Sequence, residues 1–153
     1  MSFELKSPDF TTGSSIPSQF TCVGADISPA LEWTAAPADT QSFALVADDP
    51  DAPVGTWVHW VLYNLPTGAH SLMQDFPKSE KSHDGTLQGR NDFGKIGYGG
   101  PCPPPGKPHR YFFRIYALDT NLALKPGASK KDLERAMQSH ILAEAETMGR
   151  FSR

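Results

Sequence analysis

Apolar residues in this chain recur at a spacing of two, or in short unbroken runs, more often than at the three-to-four spacing of a helix. Residues 43–47, inside QSFALVADDPDAP, are apolar throughout and are stopped by aspartate and proline. That predicts a strand buried on both faces and ending in a turn. Residues 55–66, GTWVHWVLYNLP, are aromatic and β-branched and close on Pro66, a second strand. HRYFFRIYALD is a third: His109, Tyr111, Phe113, Ile115 and Ala117 share one face, and Arg110 and Arg114 take the other. FELKSPDF and ALEWTAAP predict weaker strands, and the polar, glycine-rich residues 77–94 a long surface connection. One helix is predicted near the C-terminus. Ser129 is its cap, with Asp132 three residues on, and Leu133, Met137, Ile141, Ala145 and Met148 form its apolar stripe up to a stop at Gly149.

Composition narrows this picture. With 153 residues, 39% of them hydrophobic, the chain suits one domain, 1–153, with a full core. Its 14 prolines and 13 glycines are spread throughout, as short strands joined by turns require. A net charge of −3 with scattered basic residues argues against nucleic acid and anionic membrane surfaces. No apolar run reaches the roughly 18 residues of a membrane span, and MSFELKSPDF lacks signal-peptide character, so a cytoplasmic protein is expected. In that setting Cys22 and Cys102 are expected as free thiols, a disulfide forming only if the fold brings them together.

Three places concentrate polar side chains beside strand ends. In DDPDAP, Asp49 and Asp51 are two apart and would face one side of an extended backbone held by Pro50 and Pro53; the same residues also suit a simple turn. His59 lies inside the strand WVHWV, where a core histidine is the plainer reading. His109 follows the stiff loop PCPPPGKP, a device that would remove the ordering cost of ligand binding. His70 and His83 fall in loops, and His140 near the helical stripe. No G-x-S-x-G, H-E-x-x-H, P-loop or zinc-spaced cysteine pair is present. Two histidines and an aspartate could in principle make an open iron or zinc site, but their spacing carries no such information, and no metal or cofactor is expected.

DPDAP followed by HW, then GYGGPCPPPGKPHRY, with SPALEW upstream and NLP after the histidine strand, resembles the phosphatidylethanolamine-binding protein family, also called Raf-kinase-inhibitor-like proteins. The match is to its small bacterial and archaeal branch and covers essentially the whole chain. It implies a mainly β fold: a sandwich of two antiparallel sheets with Greek-key connections and a C-terminal helix. It also implies a small anion pocket formed by Asp49, Asp51, Ala52, Pro53, His59, Cys102, Pro103, His109 and Tyr111. In such a pocket the donors would be imidazole and phenol groups and the amides of the glycine-rich loop. The aspartates would accept from the histidines and favour imidazolium.

The function implied is non-enzymatic binding of a phosphorylated or carboxylated group, as in a phospholipid-headgroup binder or an inhibitor-like regulator of a kinase or protease. The resemblance also allows a homodimer. The alternative is a small hydrolase or lyase working through Asp–His acid–base pairs, with Cys102 or a water as nucleophile.

Overall fold

The computed structural model describes residues 2–153. The chain forms two antiparallel sheets and one α-helix, the mainly β architecture expected. Its strands are β1 (Glu4–Lys6), β2 (Leu31–Thr34), β3 (Ser42–Asp49), β4 (Trp57–Pro66), β5 (Ser71–Leu72), β6 (Leu87–Gln88), β7 (His109–Leu118) and β8 (Ile141–Phe151); the helix α1 is Lys130–Met137. One sheet has the order β1-β2-β5, the other β6-β4-β3-β7-β8.

Strand β3 is central and every one of its positions is buried, which is why SFALVA reads as an unbroken apolar run. Phe43, Leu45 and Ala47 face the other sheet and pack with Trp33, Trp60, Leu62, Phe113 and Ile115. Ala44 and Val46 face the opposite way, where Val61, Tyr63 and the helix residues Leu133 and Met137 cover them. The helix therefore closes the outer face of the five-stranded sheet and the three-stranded sheet closes the inner one.

The helix begins where the sequence places it. Asp132 N–H donates to Ser129 Oγ at 3.1 Å and Ser129 N–H to Asp132 Oδ2 at 3.3 Å. It ends much earlier than predicted, at Met137, and residues 141–151 are a strand. Ser139 turns the chain with a φ of 69°. Beyond it the sequence alternates: Ala143, Ala145, Thr147 and Gly149 lie inward while Glu144, Glu146 and Arg150 are exposed. Pairing with β7 in the register Phe113↔Thr147 and Ile115↔Ala145 satisfies that period of two, which the four-residue stripe had masked. The outer edge of β8 is covered near its end: Gly13 and Ile16 N–H donate to the Met148 and Arg150 carbonyls, and Arg150 N–H donates to Ser14 O.

Residues 77–94 are not simply a surface connection. Leu87 and Gln88 extend the sheet by pairing with Tyr63 and Leu62. Gln88 Oε1 accepts from Trp60 Nε1 at 2.8 Å, and Asn91 Nδ2 donates to Gly97 O at 2.8 Å.

Cys22 and Cys102 are not free thiols: they form a disulfide across 80 residues, with Cα atoms 5.4 Å apart. The turn Ser18–Phe20 lies against the glycine-rich loop, where a Cβ on Gly100 would come within 2.2 Å of Phe20 O. Cys22 N–H donates to Pro101 O at 3.0 Å. This close approach brings the sulfurs together, and linear spacing did not reveal it. The expectation of free thiols, which rests on a cytosolic setting, is thereby overturned. Among the described residues no helix is long and apolar enough to cross a membrane.

Closing so long a loop restricts the unfolded chain, by about 4.5 kcal/mol in the chain-entropy account. Chemical denaturation of oxidised and reduced protein tests this. The reduced form should unfold at clearly lower denaturant, and coincident midpoints would show that the bond contributes nothing.

Candidate functional site

The end of β3 and the starts of β4 and β7 meet at one end of the larger sheet. Asp49 is paired with Trp57, and Asp48 with both Val58 and Phe112. Between Ala47 and Asp48 the β4 partner jumps from Trp60 to Val58, so His59 is the extra residue of a β-bulge. The bulge inverts the facing of β4. Val58 packs on the outer face, whereas His59 and Trp60, adjacent in sequence, both belong to the inner side. No such inversion is needed on β7, where His109 and Tyr111 share the inward face with Phe113, as their spacing predicts.

These side chains line a pocket of about 220 Å³. Asp49, Ala52, Pro53, His59, Cys102, Pro103, His109 and Tyr111, all expected there, form it together with Val54, Trp57, Phe93 and Pro104. The last four were missed. Phe93 is the lone aromatic in a polar, glycine-rich stretch, which was its only signal; its ring meets Trp57 edge-on at 5.5 Å. Glycine at position 99 lets the ring lie against the loop, since a Cβ there would lie 2.6 Å from it and push it aside. The proline wall is held from outside by the disulfide and by Arg153 Nε, which donates to Pro103 O at 2.6 Å.

Asp51 does not line this pocket. Strand β3 stops at Asp49 and the chain turns, so the two carboxylates do not share a face. Asp49 Oδ1 accepts the Asp51 N–H at 2.7 Å, fixing that turn. The Asp51 carboxylate instead takes both Arg110 Nε and Nη2 at 2.9 Å, and the Arg110 N–H at 2.9 Å. These bonds from Arg110 lower the Asp51 pKa to about 2.

The two histidines are held differently. His109 Nδ1 is 2.7 Å from Asp49 Oδ2, the Asp–His pairing expected. His59 has no carboxylate partner. Its Nδ1 is 2.6 Å from Gly99 O, and a carbonyl only accepts, so the proton sits on Nδ1. Burial lowers the His59 pKa, outweighing the Gly99 bond and the charges of Asp49 and Asp48 that raise it. The imidazolium expected at His59 is therefore disfavoured.

Two of the expected loop amides are spent elsewhere. Gly99 N–H donates to His59 O at 3.0 Å and Gly100 N–H to Asp26 Oδ1 at 2.7 Å. Tyr111 stands edge-on to His59, with ring centres 5.3 Å apart. Its hydroxyl is enclosed and makes no well-formed hydrogen bond among the described residues, although the Asp49 carboxylate lies close enough to interact with it. Burial, then the charges of Asp49 and Asp51, holds that phenol well above its ordinary pKa, so it keeps its proton. Among the described residues no group of three or more His, Cys, Asp and Glu side chains is gathered as a metal would need.

A family model described as phosphatidylethanolamine-binding protein matches residues 6–152. The chain is 50% identical over 149 residues to a UPF0098 protein of Methanothermobacter thermautotrophicus, covering 97% of this chain and 98% of that one. It is also 50% identical over 152 residues to a UPF0098 protein of Aquifex aeolicus, covering 98% and 88%. Among solved structures, a phosphatidylethanolamine-binding protein homologue of Chlamydia trachomatis superposes with a TM-score of 0.90 at 38% identity, covering 99% and 98% of the two chains. Escherichia coli YbcL, described as a member of the mammalian family, gives 0.91 at 33%, covering 100% and 99%.

Two outcomes follow from the charges. At pH 6.5, where an unperturbed imidazole is half protonated, long-range ¹⁵N spectra should show His59 neutral with its proton on Nδ1. An imidazolium there would contradict this account. Asp51, with its folded pKa depressed, adds stability above its unfolded value near 3.8, and loses that contribution as pH falls toward about 2. The stability gap between wild type and Asp51→Asn should be steady from pH 7 to about 4 and shrink below that. A gap that persists at pH 2 would place its origin elsewhere.

Proposed function

The chain belongs to the phosphatidylethanolamine-binding protein family, and from that premise we propose that it is a non-enzymatic binding protein whose pocket takes a small phosphorylated or carboxylated group. The observation that carries this reading is the Tyr111 hydroxyl, enclosed, protonated and without a well-formed hydrogen bond beside Asp49 and two histidines. A buried hydroxyl without a partner is costly to keep, and an oxygen of a bound anion would satisfy it. Asp49 does not oppose such an anion as a bare charge. Its two oxygens are engaged by His109 and by the Asp51 N–H. When His109 is protonated the pair is neutral overall, and the opposite ring nitrogen offers a second donor.

Hydrolysis gains no support from this geometry. The sulfur of Cys102, the one thiol nucleophile considered, is bonded to Cys22. The family's name points to a phospholipid headgroup as the source of the bound group, and a kinase or protease presenting a comparable group is the regulatory alternative.

Titration with inorganic phosphate and O-phosphoethanolamine, followed at the His59 and His109 ring signals, tests the reading. Both rings should shift saturably. Tyr111→Phe should weaken binding about tenfold or more, as loss of a hydrogen bond to a charged group does, while leaving stability unchanged or slightly raised. Unaltered affinity in that variant, or no shifts at millimolar ligand, would refute the assignment.

A further inference from the structure

The pocket contains a fixed acceptor. Because His59 Nδ1 gives its proton to Gly99 O, the other ring nitrogen, Nε2, carries a lone pair. Nε2 makes no hydrogen bond within the protein among the described residues, and the ring that bears it lines the pocket. Burial keeps the ring from answering an anion by taking up a proton. The charged and titratable groups around it are Asp49 and Tyr111 in the pocket, with Asp48 and Asp26 acting at longer range. Tyr111 Oη–H is a donor, and His109 is a second one when its outer ring nitrogen carries a proton, while the Gly99 and Gly100 amides are occupied. A fully deprotonated dianion would meet that lone pair and the negative field of the nearby carboxylates.

We infer that the pocket selects an oxyanion that still carries a proton, a phosphomonoester in its monoanionic form, whose P–OH donates to His59 Nε2 while its other oxygens accept from Tyr111 and His109. This inference rests on the anion-binding reading above. Among biological oxyanions the phosphomonoester fits best. Its second pKa lies near 6, so it keeps a proton close to neutrality, whereas a carboxylic acid loses its own about two units lower. A phosphodiester, as in an intact phospholipid, has the negative charge but no P–OH to offer. Shape alone separates these groups poorly; a buried acceptor left without a donor separates them well.

Methyl phosphate and methyl sulfate make the test. They are close in size, and near pH 6 a large share of methyl phosphate is the monoanion. That species then differs from methyl sulfate by one proton. Calorimetric titration of the wild-type protein at pH 6 should give methyl phosphate at least about a tenfold advantage. The His59 Nε2 signal should move with methyl phosphate and stay with methyl sulfate. Equal affinities would overturn the donor selection while leaving an anion pocket. Binding of neither ligand would overturn the anion reading itself. A preference for dimethyl phosphate over methyl phosphate would point to a lipid-type diester and against this inference.

Discussion

Strand β3 ends in two adjacent carboxylates at a place where the sheet has no solvent on either face, and the surrounding structure is arranged to dispose of them separately. Alternation sends Asp48 outward and Asp49 inward. Asp48 is met by Arg114 Nη1 at 3.0 Å and Lys130 Nζ at 2.8 Å, so the helix is tied to the sheet at its first residue. Asp49 is met by His109 and by a backbone amide. A buried carboxylate stripped of its partners costs on the order of 3–5 kcal/mol. That constraint makes the placement of α1 on one face and the start of β7 on the other parts of one requirement.

The same constraint gives the pocket its chemistry. Each polar group has one side committed to the protein: His109 to a carboxylate, His59 to a carbonyl. What remains facing the cavity is a small set of atoms whose donor or acceptor character the framework has already decided. Tyr111 lacks a comparably well-formed bond. The aromatic and proline walls hold these atoms in a largely apolar setting, where a matched hydrogen bond counts for more than in water and a mismatched one costs more.

Much of this was legible in the sequence, because it depends on alternation along single strands. The apolar run of β3, the inward parity of His109 and Tyr111, and the cap at Ser129 all follow from local pattern. Motif resemblance located eight of the pocket's residues. What escaped depends on relations between segments. The bulge at His59 arises from how β4 is paired, and nothing in WVHWV announces it. The disulfide depends on a turn and a loop meeting across 80 residues. Residues 141–149 carry both a four-residue and a two-residue period, and the available edge of β7 decides between them. Asp51 was misplaced because an extended backbone was assumed to continue past Pro50. The aspartate at the strand's end instead draws the next amide into a turn.

The covering of β8 near the pocket bears on how any larger molecule could reach it. A free strand edge is a template to which an extended peptide can add, with main-chain bonds supplying the affinity. Here the hydrogen bonds of Gly13, Ser14 and Ile16 occupy that template at residues 148–150, beside the start of β7. Strand augmentation is thereby closed at this end of the sheet. Any macromolecule that reached the pocket would have to approach over the exposed Val54 and Phe93 side chains that line it, without backbone pairing along residues 148–150.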